Sequence, residues 1–144
     1  MRILVLDDSQ ISSAWLNEVL KHMGHKVTQV NTIASALEYE AENFDVVVAD
    51  YFLGEKERGV DLAKLWIGKT RFVFFTGVGD IQTVASLSSY GQIILKDVGA
   101  DVEQAIERFA ECLSHAQAAI DNINRCVIQS HGRSNMTVNI SEQH

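Results

Sequence analysis

Acids, a hydroxyl and an amine stand at the ends of short apolar runs, where strands could bring them together. Asp7 and Asp8 follow Ile3, Leu4, Val5 and Leu6; Asp50 follows Val46, Val47, Val48 and Ala49. Thr76 follows the apolar run 72–75, and Lys96 follows Ile93, Ile94 and Leu95. Singly, each residue is ordinary: an acid after a strand often caps the next helix, and a lone Lys is usually a solvated charge. Together they define a chemistry. Three carboxylates a few ångströms apart repel one another unless a cation neutralises them. Hard oxygen ligands at an open edge suit Mg²⁺, which keeps several waters and shares its shell with phosphate. An ammonium and a hydroxyl beside such a centre can neutralise and hydrogen-bond phosphoryl oxygens while a carboxylate attacks phosphorus in line. The set therefore predicts a phosphoryl-handling site with Asp50 as nucleophile.

The elements needed to position these residues are legible in the hydrophobic pattern. Residues 3–6 read as a buried strand, followed by Ile11, Ala14, Trp15, Val19 and Leu20 at helical spacing, with Gly24 as the stop. Residues 25–30 read as a second strand, and Ile33, Ala34, Leu37 and Ala41 as a helix. Residues 46–49 are apolar at every position, as expected of a central strand covered on both faces. A helix over 59–66, a strand over 72–75, a helix capped by Asp80 and running to Leu87, and a strand over 93–95 follow. A long helix begins near Asp101. Alternating strand and helix predicts an α/β fold, a flavodoxin-like doubly wound five-stranded parallel sheet of order 2-1-3-4-5. Ligands bind such sheets beyond the carboxyl ends of the strands, at the switch point between the first and third strands. That is where Asp7, Asp8 and Asp50 should meet.

Bulk properties exclude other classes. The 144-residue chain carries a formal charge of −7, which argues against nucleic-acid binding through a basic surface. No apolar run approaches the roughly 18–20 residues of a membrane span, and no signal-peptide pattern opens the chain. Cys112 and Cys126 have no metal-ligand or redox spacing, and a reduced, cytoplasmic protein is the expectation. No glycine-rich phosphate loop follows the first strand, so nucleotide binding is not expected. The Asp-x-Asp pattern of haloacid-dehalogenase phosphatases is also missing, since the first strand ends in Asp7-Asp8-Ser9.

The pattern Asp7-Asp8, Asp50, Thr76-Gly77 and Lys96 resembles the CheY-like receiver domains of response regulators, over about residues 1–115. The resemblance implies a phosphoacceptor switch rather than an enzyme acting on a separate substrate. Asp50 would take a phosphoryl group from a phosphohistidine on a histidine kinase or a histidine phosphotransfer protein. Asp7, Asp8, Asp50 and the backbone carbonyl of Phe52 would hold Mg²⁺. Thr76 and Lys96 would sense the phosphoryl group, and Gly77 would border its entry path. Signalling to a downstream protein target would pass through the face of the fourth helix, fifth strand and fifth helix.

Four features depart from that pattern. Asp97 follows Lys96 where the family usually has proline after a cis bond, and the chain has no proline at all. A non-proline cis bond costs about 2.5–4 kcal/mol, which favours a trans bond here. Ile93 stands where an aromatic switch residue is frequent, with Tyr90 close by in sequence. The segment 53–59 is charged and reads as a solvated loop. Phe52, two residues after the acceptor, is bulky, and is expected to shield the acyl phosphate from water. These departures leave a second class open, a non-phosphorylated adaptor of receiver shape.

Beyond residue 115 the helical spacing continues. Val102, Ile106, Phe109, Leu113, Ala116, Ile120, Ile123 and Val127 form a heptad-like seam. Its first half should pack on the sheet. Its second half predicts a helical extension over 116–128 that pairs as a homodimer, the alternative being a helix folded back on its own domain. Residues 129–144 read as a flexible polar tail in which His131 and His144 are solvated.

Overall fold

The computed structural model describes residues 1–77, 79–96, 101 and 103–114. The expected extension over 116–128, the tail over 129–144, and the residues Asp97, Val102 and Cys126 lie outside them. Strands β1 (Arg2–Leu6), β2 (Lys26–Val30), β3 (Val46–Ala49), β6 (Arg71–Thr76) and β7 (Gly91–Leu95) form one sheet of order β2-β1-β3-β6-β7, with every pairing parallel. Between them run α1 (Gln10–His22), the short α2 (Ile33–Ala36), α3 (Gly59–Leu65) and α4 (Ile81–Ser88). A further helix, α5, spans 103–114. This is the doubly wound, flavodoxin-like arrangement expected, with β6 and β7 as the fourth and fifth strands of the sheet.

Strand alternation sorts the core into two layers. Ile3, Val5, Val46, Val48, Val73 and Phe75 face α1 and α5, where they meet Leu16, Val19, Leu20, Ala105, Phe109 and Leu113. Leu4, Leu6, Val47, Ala49, Phe72 and Phe74 face the other way, onto Ala36, Leu62, Trp66 and Leu87. Both faces of β3 are therefore covered, which explains its unbroken apolar run. Phe75 ties one layer together, stacking with Trp15 at 5.7 Å and tilting against Phe109 at 5.4 Å between ring centroids. Glycine is required where β7 starts: a Cβ on Gly91 would lie 2.1 Å from the Phe72 carbonyl oxygen.

Three expectations need correction. The buried stripe of α1 runs through Ser12, Leu16, Val19 and Leu20, while Ile11 is 75% exposed and Ala14 faces solvent. The phase is set by Leu16 and the Val19-Leu20 pair, and Ile11 falls off it. The second helix is a single turn ending at Ala36, followed by a 3₁₀ turn over Ala41–Asn43, so Ala36 and Ala41 are buried and Leu37 is exposed. The segment 53–59 is not a plain solvated loop. Phe52–Leu53 (β4) and Glu57–Arg58 (β5) pair antiparallel as a short hairpin, anchored by the buried Leu53.

The first half of the C-terminal seam behaves as expected. Phe109 and Leu113 are buried against the sheet and Ile106 packs beside them, joined by Ala105, which spacing alone had not singled out.

Candidate functional site

β1 and β3 lie side by side in register, Leu6 opposite Ala49, so the residues that follow them share one edge of the sheet. Asp7, Asp8 and Asp50 each offer a carboxylate oxygen there, and these oxygens all lie within 4.8 Å of one another. β6 brings Thr76 to the same edge. Lys96 follows directly after β7, its backbone N–H donating to the Thr76 carbonyl at 2.8 Å. All five polar residues singled out by sequence therefore stand at the carboxyl edge.

Lys96 connects them. Its Nζ lies 2.7 Å from Asp50 Oδ2 and 3.0 Å from Asp7 Oδ2, above the Phe75 ring. The contact to Asp50 is a hydrogen bond. The contact to Asp7 is ionic only, because Asp7 Oδ2 is buried with no aligned donor. The other oxygens are held by backbone: Ser9 N–H donates to Asp7 Oδ1 at 2.9 Å, and Tyr51 N–H donates to Asp50 Oδ1 at 2.7 Å. Asp8 is exposed, and its Oδ2 accepts from Gly54 N–H at 2.8 Å, tethering the β4–β5 hairpin to the site. Thr76 is fully buried.

The charges are unequally placed. Burial raises the Asp7 carboxyl above its usual range, against the opposing pull of the Ser9 N–H and Lys96. Burial alone would lower Lys96, but its hydrogen bond to Asp50, its close contact with Asp7 and the negative charges of both together hold it above its ordinary value. Asp7 therefore contributes a penalty to the folded state that grows as pH rises above the unfolded carboxyl pKa. Lys96 contributes stability that is present below its unfolded pKa and lost as pH rises through the higher folded one.

Residues that the sequence reading passed over shape the edge. A Cβ on Gly59 would lie 1.9 Å from the Asp50 carbonyl oxygen, and Gly59 N–H donates to the Tyr51 carbonyl at 2.7 Å. The first turn of α3 can approach Asp50 only because this residue has no side chain. Gly54, at φ +73°, supplies the hairpin turn that reaches Asp8. Phe52 is 44% exposed and carries the Arg58 guanidinium 4.3 Å above its ring, with Tyr51 edge-on at 4.8 Å. Phe52 was singled out by sequence; for Gly54 and Gly59 the only signal was two glycines in an otherwise charged segment. A Cβ on Gly77 would meet open space, in keeping with an unobstructed path at that point. Ile93 packs against the core, whereas Tyr90 precedes β7 at the opposite edge of the sheet, too far round to act as a switch beside Lys96. Among the described residues no peptide bond is cis; the Lys96–Asp97 bond lies outside them.

No protein-family model matches the sequence, and no curated protein matches it. Solved structures do. The non-phosphorylated HemR receiver domain from Leptospira biflexa is 27% identical with a TM-score of 0.68, over 78% of this chain and 94% of that one. A CheY-like response regulator receiver domain protein from Methanospirillum hungatei is 24% identical with a TM-score of 0.64, over 82% and 97%. The BeF3-activated DrrB receiver domain is 22% identical with a TM-score of 0.62, over 78% and 97%. The chain has the CheY-like receiver fold. The acid cluster lies at the switch point of that receiver fold, between its first and third strands. Among the described residues, no helix is long and apolar enough to cross a membrane.

The penalty on Asp7 generates a test. Asp7→Asn removes a buried charge that the site disfavours, so the variant is expected to be more stable than the parent at neutral pH. The gain should shrink towards zero as pH falls to about 3, below the unfolded carboxyl pKa, when followed by urea unfolding across the range. A variant less stable than the parent at neutral pH would show that the Lys96 contact outweighs the burial cost.

Proposed function

We propose that this protein is a response-regulator receiver of a two-component phosphorelay, in which Asp50 accepts a phosphoryl group from a phosphohistidine donor. The observation that carries this reading is Lys96 Nζ bridging Asp50 and Asp7 at the sheet edge, with Asp8 alongside. An ion pair serving only stability would have no use for a third, exposed carboxylate and a strand-end threonine at the same point. The fold shared with receiver domains agrees with the same role.

The donor set suits a hard divalent cation. Asp7 Oδ2 is buried without an aligned hydrogen-bond donor, and oxygens of Asp7, Asp8 and Asp50 lie close enough to share one ion. Asp7, Asp8, Asp50 and the carbonyl of Phe52 would hold Mg²⁺, which when bound neutralises phosphoryl oxygens. Asp50 is the nucleophile: one carboxylate oxygen forms the bond to phosphorus as the phosphorus–nitrogen bond of the donor breaks, and the departing imidazole nitrogen takes up a proton. Tyr51 N–H holds Oδ1 and Lys96 holds Oδ2, so the carboxylate is oriented before the donor arrives. Once phosphorus is bound, Lys96 moves its hydrogen bond to a phosphoryl oxygen and Thr76 donates its hydroxyl to another. The movement of Thr76 and Lys96 biases the face built from α4, β7 and α5, where a downstream protein partner reads the switch. No separate substrate is turned over; the chemistry is self-phosphorylation and self-dephosphorylation.

Incubation with Mg²⁺ and a small-molecule phosphodonor should add one phosphoryl group to the parent and none to Asp50→Asn by intact mass. Absence of label on the parent would favour the adaptor reading. Phe52, held under Arg58 and half exposed, is proposed to screen the acyl phosphate. Phe52→Ala should then lose its label several-fold faster, and an unchanged rate would leave Phe52 a packing residue only.

The seam from Ala116 to Val127 is proposed to pair two copies of the chain. Light scattering should give a dimer for the full chain and a monomer for a chain ending at residue 115; a monomer in both would refute it.

A further inference from the structure

At the end of the sheet opposite Asp50, a cavity of about 640 Å³ opens beneath the first residues of β1 and β6 and the turn that leads into β7. Its size falls within the roughly 300–1,000 Å³ of small-molecule sites. The floor is aromatic: Phe44 and Phe72 are buried there, and the half-buried Tyr90 forms a wall. Ile67, 69% exposed, stands on the rim.

The charge around this apolar floor is unbalanced. Asp45 is fully engaged by Arg2, which donates its backbone N–H to Oδ2 at 2.8 Å and its guanidinium to Oδ1 at 3.2 Å. That pair cancels. Lys69 and Arg71 also line the cavity, and among the described residues neither makes an ion pair. Glu42 is the one remaining acid on the lining, leaving two free cations against it. At the end of α3, Leu62 O accepts from Trp66 N–H, and in the turn beyond it Trp66 O accepts from Lys69 N–H. In a chain of net charge −7, this concavity is locally positive.

We propose that this cavity binds a small aromatic anion, its ring against Phe44, Phe72 and Tyr90 and its carboxylate or sulfonate between Lys69 and Arg71. An aromatic face satisfies the apolar floor, and the Arg71 guanidinium matches a carboxylate as a two-pronged donor. An uncharged aromatic would gain nothing from the two cations. A bare inorganic anion would leave the floor and Ile67 wet. The site shares no residue with the Asp7, Asp8, Asp50, Thr76 and Lys96 cluster, so it stands whatever the chemistry at the other edge.

The test uses the full chain and two probes, naphthoate and its uncharged analogue naphthamide, followed by backbone amide NMR. Naphthoate should give saturable shifts confined to residues 44–45, 67–72 and 89–91, with naphthamide binding more weakly. The double variant Lys69→Gln, Arg71→Gln should weaken naphthoate by about tenfold or more while leaving the remaining amide spectrum in place. Both side chains are exposed, so the fold does not depend on them. Shifts centred elsewhere, equal binding of naphthamide, unchanged affinity in the double variant, or no saturation would each overturn the assignment.

Discussion

Asp7 and Asp50 are held against one ammonium, and the rest of the molecule can be understood as the apparatus that makes this possible. Two carboxylates beside each other at the mouth of a largely apolar sheet would repel and would be costly to bury. Lys96 reaches both within 3.0 Å, and the backbone N–H groups of Ser9 and Tyr51 occupy their other oxygens. The compensation is incomplete, since Asp7 stays above its usual carboxyl range while Lys96 is held above its own. A site left in that state favours any further positive charge or hydrogen-bond donor that can reach Asp7 Oδ2.

The parallel sheet supplies the reach. Because β1, β3, β6 and β7 all run the same way, the residues at their carboxyl ends arrive at the same edge, and four separate stretches of chain contribute to one cluster. The two-layer core keeps those strands from sliding. Phe75 and Phe109 lock α5 onto the side of the sheet that also carries α1. On the other side, Gly59 lets α3 begin directly against the Asp50 backbone, and Gly91 lets β7 enter against Phe72. A side chain at either glycine would push apart the elements whose ends form the site.

The β4–β5 hairpin gives the edge a cover of its own. It is tied to Asp8 through Gly54, anchored inward by Leu53 and capped by Arg58 on Phe52. The hairpin is thereby held at the edge by one of the three carboxylates of the cluster. The opposite edge of the sheet has a different character: an aromatic floor beside Lys69 and Arg71, which form no ion pair among the described residues, separate from the acid cluster.

Much of this was written in the sequence. Strand-length apolar runs ending in Asp, Asp, Thr and Lys determined both the α/β class and the edge on which the polar set would gather, because a parallel sheet places all strand ends alike. The helix cap at Asp80 was equally local, its side chain accepting from the Thr83 N–H three residues on. What tertiary structure decided was phase and contact. Leu16 rather than Ile11 defines the buried stripe of α1, since a helix turns to suit whichever face the sheet offers. The second helix stops at Ala36 although the periodicity ran to Ala41, and the charged segment after Phe52 closes into a hairpin around one buried leucine. That Lys96 spans Asp7 and Asp50 depends on chain segments tens of residues apart meeting within a few ångströms, and that Gly59 must be bare beneath Asp50 depends on how the intervening hairpin folds α3 back onto the strand end. No local pattern encodes such distances; they follow from the packing of the whole sheet.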